Sequence, residues 1–248
     1  MTIETKERTS KTTNNNENMA KDYSEDQLIQ RSAAELMEKE LGWTSVYAFD
    51  KEVLGTNGTL GRTSYHEVLL AGRFRKALKT LNPWLTDKQL QEATERMTEH
   101  MSSQTLMQIN EQKYQYIKDG VPVTRVKPNG ETEEVRAKVI DFASPEKNDF
   151  LCVREMWVYG ALYHRRADIV GFVNGLPLLF MELKNHDVEV VDAFNKNYRD
   201  YLDTIPQLFY HNAFIMFSNG LEARVGTFWT YWKISSSTTI AEGIRQRY

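Results

Sequence analysis

The stretch from Arg165 to Lys184 reads RRADIVGFVNGLPLLFMELK. Two apolar runs, Ile169–Val173 and Leu178–Met181, flank the pair Asn174-Gly175. That pair between apolar runs is a strong hairpin signal. Asp168 stands at the outer end of the first run, Glu182 and Lys184 at the outer end of the second. Side chains alternate along a strand, so Glu182 and Lys184 share a face while Leu183 points away. Closing the hairpin brings three ionisable groups to one end of an apolar sheet. Leu178 to Met181 run unbroken into Glu182, which predicts a strand buried on both faces. Charges placed there are costly unless they are paired or bind an ion. A buried Glu–Lys ion pair is the plain alternative. Glu-x-Lys also occurs at Glu4–Lys6, in a polar tail, and at Glu111–Lys113, read as a solvated helix. The spacing alone is therefore weak, and the apolar setting is what separates the third copy.

Register decides whether the acids meet. A two-residue loop would oppose Asp168 to Met181 and turn it away from Glu182, because a one-residue slip exchanges the faces. A three-residue loop, Asn174 to Leu176, pairs Val173 with Pro177 and Asp168 with Glu182. Gly175 can supply the left-handed residue such a loop needs, and Pro177 fits beside a turn. The sequence thus predicts an odd-length loop or an equivalent bulge.

The 248 residues, 41% hydrophobic and 26% charged, suit one globular domain. A single cysteine, Cys152, excludes an internal disulfide and makes a reducing cytoplasm the expected location. Nothing resembles a secretory signal or an apolar run of the roughly 20 residues that span a bilayer. A net charge of −3 argues against nucleic-acid binding by overall charge, so phosphate contacts must come from local clusters.

Residues 1–22 are polar and aperiodic, read as a disordered lead-in. Ser24 with Gln27 makes a capping box before an apolar stripe of Leu28, Ile29, Ala33, Leu36, Met37 and Leu41. Glu25, in its first turn, suits the helix dipole. Ser64 with Glu67 predicts a second helix running to Leu81, with Arg73, Arg75, Lys76 and Lys79 as a solvated basic face or a phosphate contact. Thr86 with Gln89 opens a third helix, and Leu106 to Ile117 form a fourth, with Met101 and Met107 expected in the core. From Val121 the period shifts to two: VPVTRV, a Pro-Asn-Gly turn and EVRAKVIDF read as a hairpin, followed by FLCVREMWVY and ALYHRRADIV. Val188 to Leu202 reads as helix, AFIMFSNG and ARVGTFWTYW as strands, and 235–248 as a tail. Helices, then strands, then helix and strand indicate α/β or α+β with a central mixed sheet.

No Walker-type phosphate loop or zinc spacing occurs. His66, His100, His164, His186 and His211 are scattered; His164 and His186 lie near the hairpin and could support the acids from behind, with a surface position the plainer reading. Cys152 reads as a small buried apolar residue. Two carboxylates and a lysine suit a hard cation: Asp168 and Glu182 would ligate Mg²⁺, and Lys184 would orient water or offset transition-state charge. Arg165 and Arg166 could hold a flanking phosphate.

Asp168 followed by Glu182-Leu183-Lys184 resembles the PD-(D/E)XK nuclease motif. More specifically, RTSYHEVLLAGRFRKALKTLNP, VIDFASPEKNDF, RRADIVGFVNGLPLLFMELKN and AFNKNYRDYLDTIPQLF together resemble the N-terminal nuclease region of the restriction subunit (HsdR) of type I restriction–modification enzymes. The resemblance implies a restriction-endonuclease-like α/β core, a central mixed β-sheet flanked by helices, over 23–234. It implies Mg²⁺-dependent cleavage of double-stranded DNA, with methylation and specificity subunits as partners and no membrane. ATP would serve only through a motor region that this chain lacks. The family's Gln-x-x-x-Tyr element is altered here: Lys196 or Asn197 falls at the glutamine, and Asn197 with Tyr201 keeps the tyrosine. A non-catalytic docking module with a structural Glu–Lys pair is the competing expectation. A repair-type nuclease on the same core is a weaker third.

Overall fold

The computed structural model describes residues 29–100, 102–190 and 198–227. The lead-in, the Ser24–Gln27 box, Glu25, Met101, Lys196, Asn197 and the tail lie outside them. A six-stranded mixed sheet has the order β1-β4-β5-β6-β7-β8, and β2 (Val121–Val126) pairs with β3 (Thr132–Ala137) as a separate hairpin. In the large sheet, β1 (Thr44–Tyr47) runs parallel to β4 (Phe150–Tyr159), which pairs antiparallel with β5 (His164–Val173). Then β6 (Leu176–Leu183) lies antiparallel to β5 and parallel to β7 (Phe214–Ser218), and β8 (Ala223–Gly226) closes the edge.

Helix α1, spanning 29–41 of the described residues, covers one face through Ala34 and Met37 against Cys152, Ile169, Met181 and Leu183. Leu36 and Leu41, expected in its stripe, are exposed, because the buried line runs through positions 30, 34 and 37. The opposite face carries Val170, Phe172, Phe180 and Phe217 against Tyr198, Tyr201 and Phe209, the last two from α5 (Arg199–Thr204) and the short 3₁₀ helix Pro206–Phe209. A further core gathers α2 (Ala71–Leu81), α3 (Asp87–Thr98) and the β2–β3 hairpin around Leu176 and Leu178.

Three expectations are corrected. Helix α2 begins at Ala71 rather than at Ser64, and its N-cap Leu70 gives no side-chain cap. Glu67 instead accepts from Thr63 Oγ1 and backbone N, and Leu70 N donates to Gly175 O at 2.9 Å. The segment is a run of turns and bends, tied to the turn of the central hairpin through Leu70. Lys113 is not solvated: on α4 (Leu106–Asp119) it is 1% exposed and donates to Arg96 O and Glu99 O, capping the end of α3. Met107 is exposed instead of core. The expected box at Thr86 and Gln89 is present in full.

The hairpin turn has two residues, Val173 pairing with Leu176, with Asn174 at φ 53° and Gly175 at φ 80°. Left-handed conformation at both central residues matches the strand twist. The predicted compensation appears as a bulge: Gly171 pairs with Leu179 but Phe172 with Pro177, so Leu178 is the extra residue. Its side chain joins the α2–α3 core, and its carbonyl accepts from Ala213 N at 2.8 Å. Beyond the bulge Ile169 pairs with Met181, and one more step brings Asp168 opposite Glu182.

A Cβ on Gly175 would lie 2.6 Å from Leu70 O and 2.8 Å from Phe74 N. Both are backbone atoms and cannot move aside. Gly175→Ala is expected to destabilise the fold by roughly 2 kcal/mol or more, from the left-handed strain and the clash together. Urea unfolding reads this directly; a wild-type midpoint would show that the turn is tolerant.

Candidate active site

At the end of the sheet remote from this turn, the ladder opens. Arg154 pairs with Ile169 and Met156 with Ala167, while Glu155 and Asp168 face each other between them. The alternation slips there on both strands: Leu151 and Val153 share a core with Met156 and Val158, and Ala167 shares it with Val170 and Phe172. Glu155 takes φ 58°, a left-handed conformation inside a strand. Such strain costs about 1–3 kcal/mol and clusters at functional sites. Its carboxylate is buried and pairs with Arg166 Nε at 2.6 Å.

Asp168 is thus flanked by Glu155 on β4 and Glu182 on β6. Its Oδ2 accepts from Leu183 N at 2.7 Å, and its Oδ1 accepts from Gln30 Nε2 at 3.1 Å. Burial, then repulsion from Glu182, hold the Asp168 carboxyl well above the usual carboxylate range; Glu155 adds to this, while Lys184 and the Leu183 amide oppose it. Glu182 is 1% exposed, and its Oε1 accepts from Lys184 Nζ at 2.7 Å. Asp168, Glu182 and Lys184 are therefore brought together. Tyr201 joins them from α5: its hydroxyl donates to Arg166 O at 2.9 Å, and burial followed by the Glu182 and Asp168 charges keeps it protonated far above the usual phenol range.

Arg165 and Arg166 border the site but are engaged. Arg165 forks onto Asp200, with Nε to Oδ2 at 2.5 Å and Nη2 to Oδ1 at 2.8 Å. Arg166 stacks over Phe49 at 4.6 Å from the ring centre while it pairs with Glu155. Gln30 and Glu155 did not stand out in the sequence. A signal existed for each: Gln30 is polar at a position four residues before Ala34 and seven before Met37, and Glu155 follows Arg154 in mid-strand. His164 packs beside Trp157 and Tyr159, and His186 meets Asp187 at 3.1 Å. Cys152 is buried, and burial pushes its thiol up to about 12.

Asp168 and Glu182 bring together carboxylate oxygens, the donor type a hard cation takes, and a divalent ion there would relieve their mutual repulsion. Among the described residues no three Asp, Glu, His or Cys side chains form a metal cluster. Mg²⁺ requires only one or two carboxylates and retains waters.

The mixed sheet flanked by helices is a restriction-endonuclease-like α/β fold. Residues 22–233 match the family described as type I restriction enzyme R protein N terminus, and the chain belongs to that family. It is 30% identical over 206 residues to the type I restriction enzyme HindI endonuclease subunit of Haemophilus influenzae, covering 79% of this chain and 19% of that protein. It is 27% identical over 194 residues to the type I restriction enzyme SauMSSORF170P endonuclease subunit of Staphylococcus aureus, covering 74% and 19%. The chain spans about a fifth of the length of these relatives. Among the described residues no helix is long and apolar enough to cross a membrane.

Proposed function

We propose that this chain is the Mg²⁺-dependent endonuclease module of a type I restriction subunit and hydrolyses phosphodiester bonds of double-stranded DNA. The supporting observation is the convergence of Asp168, Glu182 and Lys184 at one opened end of the sheet, built by the Leu178 bulge. Asp168 and Glu182 would hold the ion. When bound, it would supply Lewis-acid polarisation of the phosphodiester and a lowered pKa for the attacking water. Lys184, anchored on Glu182, keeps an ammonium beside the acids, where it offsets negative charge growing in the transition state. Gln30 and the Leu183 amide fix both oxygens of Asp168, so its geometry is set in advance. Target choice, methylation and ATP-driven translocation would belong to partner subunits and to regions outside this chain.

The 2.7 Å Lys184–Glu182 pair also favours a second reading, a docking module with a structural ion pair. Metal titration separates the two. The nuclease reading expects Mn²⁺ to bind and raise the melting temperature by mass action, with anomalous density beside Glu182 in a soaked crystal. Absence of any Mn²⁺ shift that depends on Asp168 and Glu182 would leave the docking reading.

A further inference from the structure

Between helix α1 and strands β1 and β4 lies a cleft of about 490 Å³, lined by Gln30, Arg31, Tyr47 and Arg154, with Glu35 and Glu38 on its helix side. It adjoins the acid pair. Gln30, in its wall, donates to Asp168, and Arg154 sits across from Ile169, the next residue to Asp168.

Arg154 differs from the other arginines near the site. Arg165 is committed to Asp200 and Arg166 to Glu155, whereas Arg154 has no carboxylate partner among the described residues. Its guanidinium stacks over Tyr47 at 5.1 Å from the ring centre, and its Nε is buried without a hydrogen-bond partner. A buried charged donor left unpaired is costly unless a ligand completes it. A guanidinium stacked on a ring keeps its N–H edge for a planar or bidentate oxyanion. Lys51 approaches the same ring at 5.6 Å. Glu35 is neutralised by Arg31 at 2.8 Å and Lys39 at 3.2 Å. The cleft's own lining is charge-balanced, Arg31 and Arg154 against Glu35 and Glu38, and because Arg31 and Lys39 are held on Glu35, Arg154 is the lining cation without a carboxylate partner among the described residues.

We propose that this cleft receives a backbone phosphate of the DNA strand next to the one being cut, with Arg154 as its donor and Lys51 as an outlying cation. The proposal rests on the nuclease reading above and assigns its strand-positioning contact to Arg154 rather than to Arg165 or Arg166. A phosphate held there would fix the register of the strand relative to Asp168 and Glu182 without reading sequence.

The test uses the full-length subunit carrying this chain. Binding of a short nonspecific duplex is measured as a function of salt in an Asp168→Asn background, where chemistry does not interfere. Cleavage is measured with Asp168 restored. Arg154→Gln is expected to weaken binding about 10-fold, reduce the salt slope by about one, and raise KM more than it lowers kcat. Arg154→Lys is expected to restore the salt slope while recovering only part of the affinity, because it keeps the charge and loses the fork. An unchanged slope and KM in Arg154→Gln would overturn the cleft assignment. So would equal defects in Gln and Lys variants accompanied by a lowered melting temperature, which mark a structural arginine. Wild-type cleavage by Asp168→Asn would instead overturn the nuclease reading, so the two failures are distinct.

Discussion

Asp168→Asn and Glu182→Gln are each expected to lower metal-dependent DNA cleavage by the full-length subunit by roughly 10²–10³-fold or more, while the fold persists. The physical ground is that a hard cation requires anionic oxygen, and each substitution replaces a carboxylate by a neutral amide of the same shape. Folding should tolerate the change. Asp168 is buried and pushed toward protonation by Glu182, so removing one charge relieves repulsion even as one hydrogen bond to Gln30 or Leu183 is weakened. Melting temperatures close to wild type, together with loss of the Mn²⁺-induced shift, would complete the result. Lys184→Ala should separate the roles: Mn²⁺ binding survives and cleavage falls. Any one of the three variants cutting DNA at the wild-type rate would remove that residue from the catalytic set.

The second large effect concerns acid stability and His211. Its place in the sequence carries no pattern, but the residue is 3% exposed, with Nε2 bonded to Met97 O at 2.8 Å and Nδ1 lacking a partner. A carbonyl partner requires the proton on Nε2, so acid would place a second proton on buried Nδ1. Burial, then the nearby Lys113 ammonium, lower this imidazole from 6.5 to about 3. The folded state therefore holds the ring neutral while the unfolded chain takes up a proton below about 6.5. Stability is unaffected above that value and falls as the pH drops from 6.5 toward 3. Between pH 7 and pH 5 the expected loss from this residue is about 2 kcal/mol. His211→Gln, whose amide can still donate to Met97 O, should flatten that slope. Denaturant unfolding at the two pH values measures it, and an identical slope in the variant would place the acid sensitivity elsewhere.

The central hairpin shows how far local chemistry reached. Asn174-Gly175 fixes a turn because only a small set of residues adopts left-handed conformation cheaply. The Asn174 side chain then explains why asparagine stands there: it accepts from Asp149 N and donates to Val139 O, each at 2.8 Å. The two-residue turn demanded a one-residue correction before Asp168 could meet Glu182. Its place, at Leu178, was not legible, because it depends on an α2–α3 core and on Ala213, far away in the chain. The same limit hid Glu155 and Gln30. Their importance comes from lying across strands, or across a helix–sheet contact, from Asp168.

By itself the sequence determined the central strands, the place of the turn and the family, since apolar period, left-handed residues and a run of ordered motifs are local properties of the chain, whereas the turn's length and the bulge that offsets it were set by tertiary pairing. Only the tertiary structure decided which cations remain available. Arg165 and Arg166 look free in the sequence yet face Asp200 and Glu155, while Arg154, half-buried in mid-strand, pairs with no carboxylate among the described residues. The reason is physical: a charge is spent or spared by what packs within a few ångströms of it, and that neighbour is set by strand pairing rather than by position along the chain.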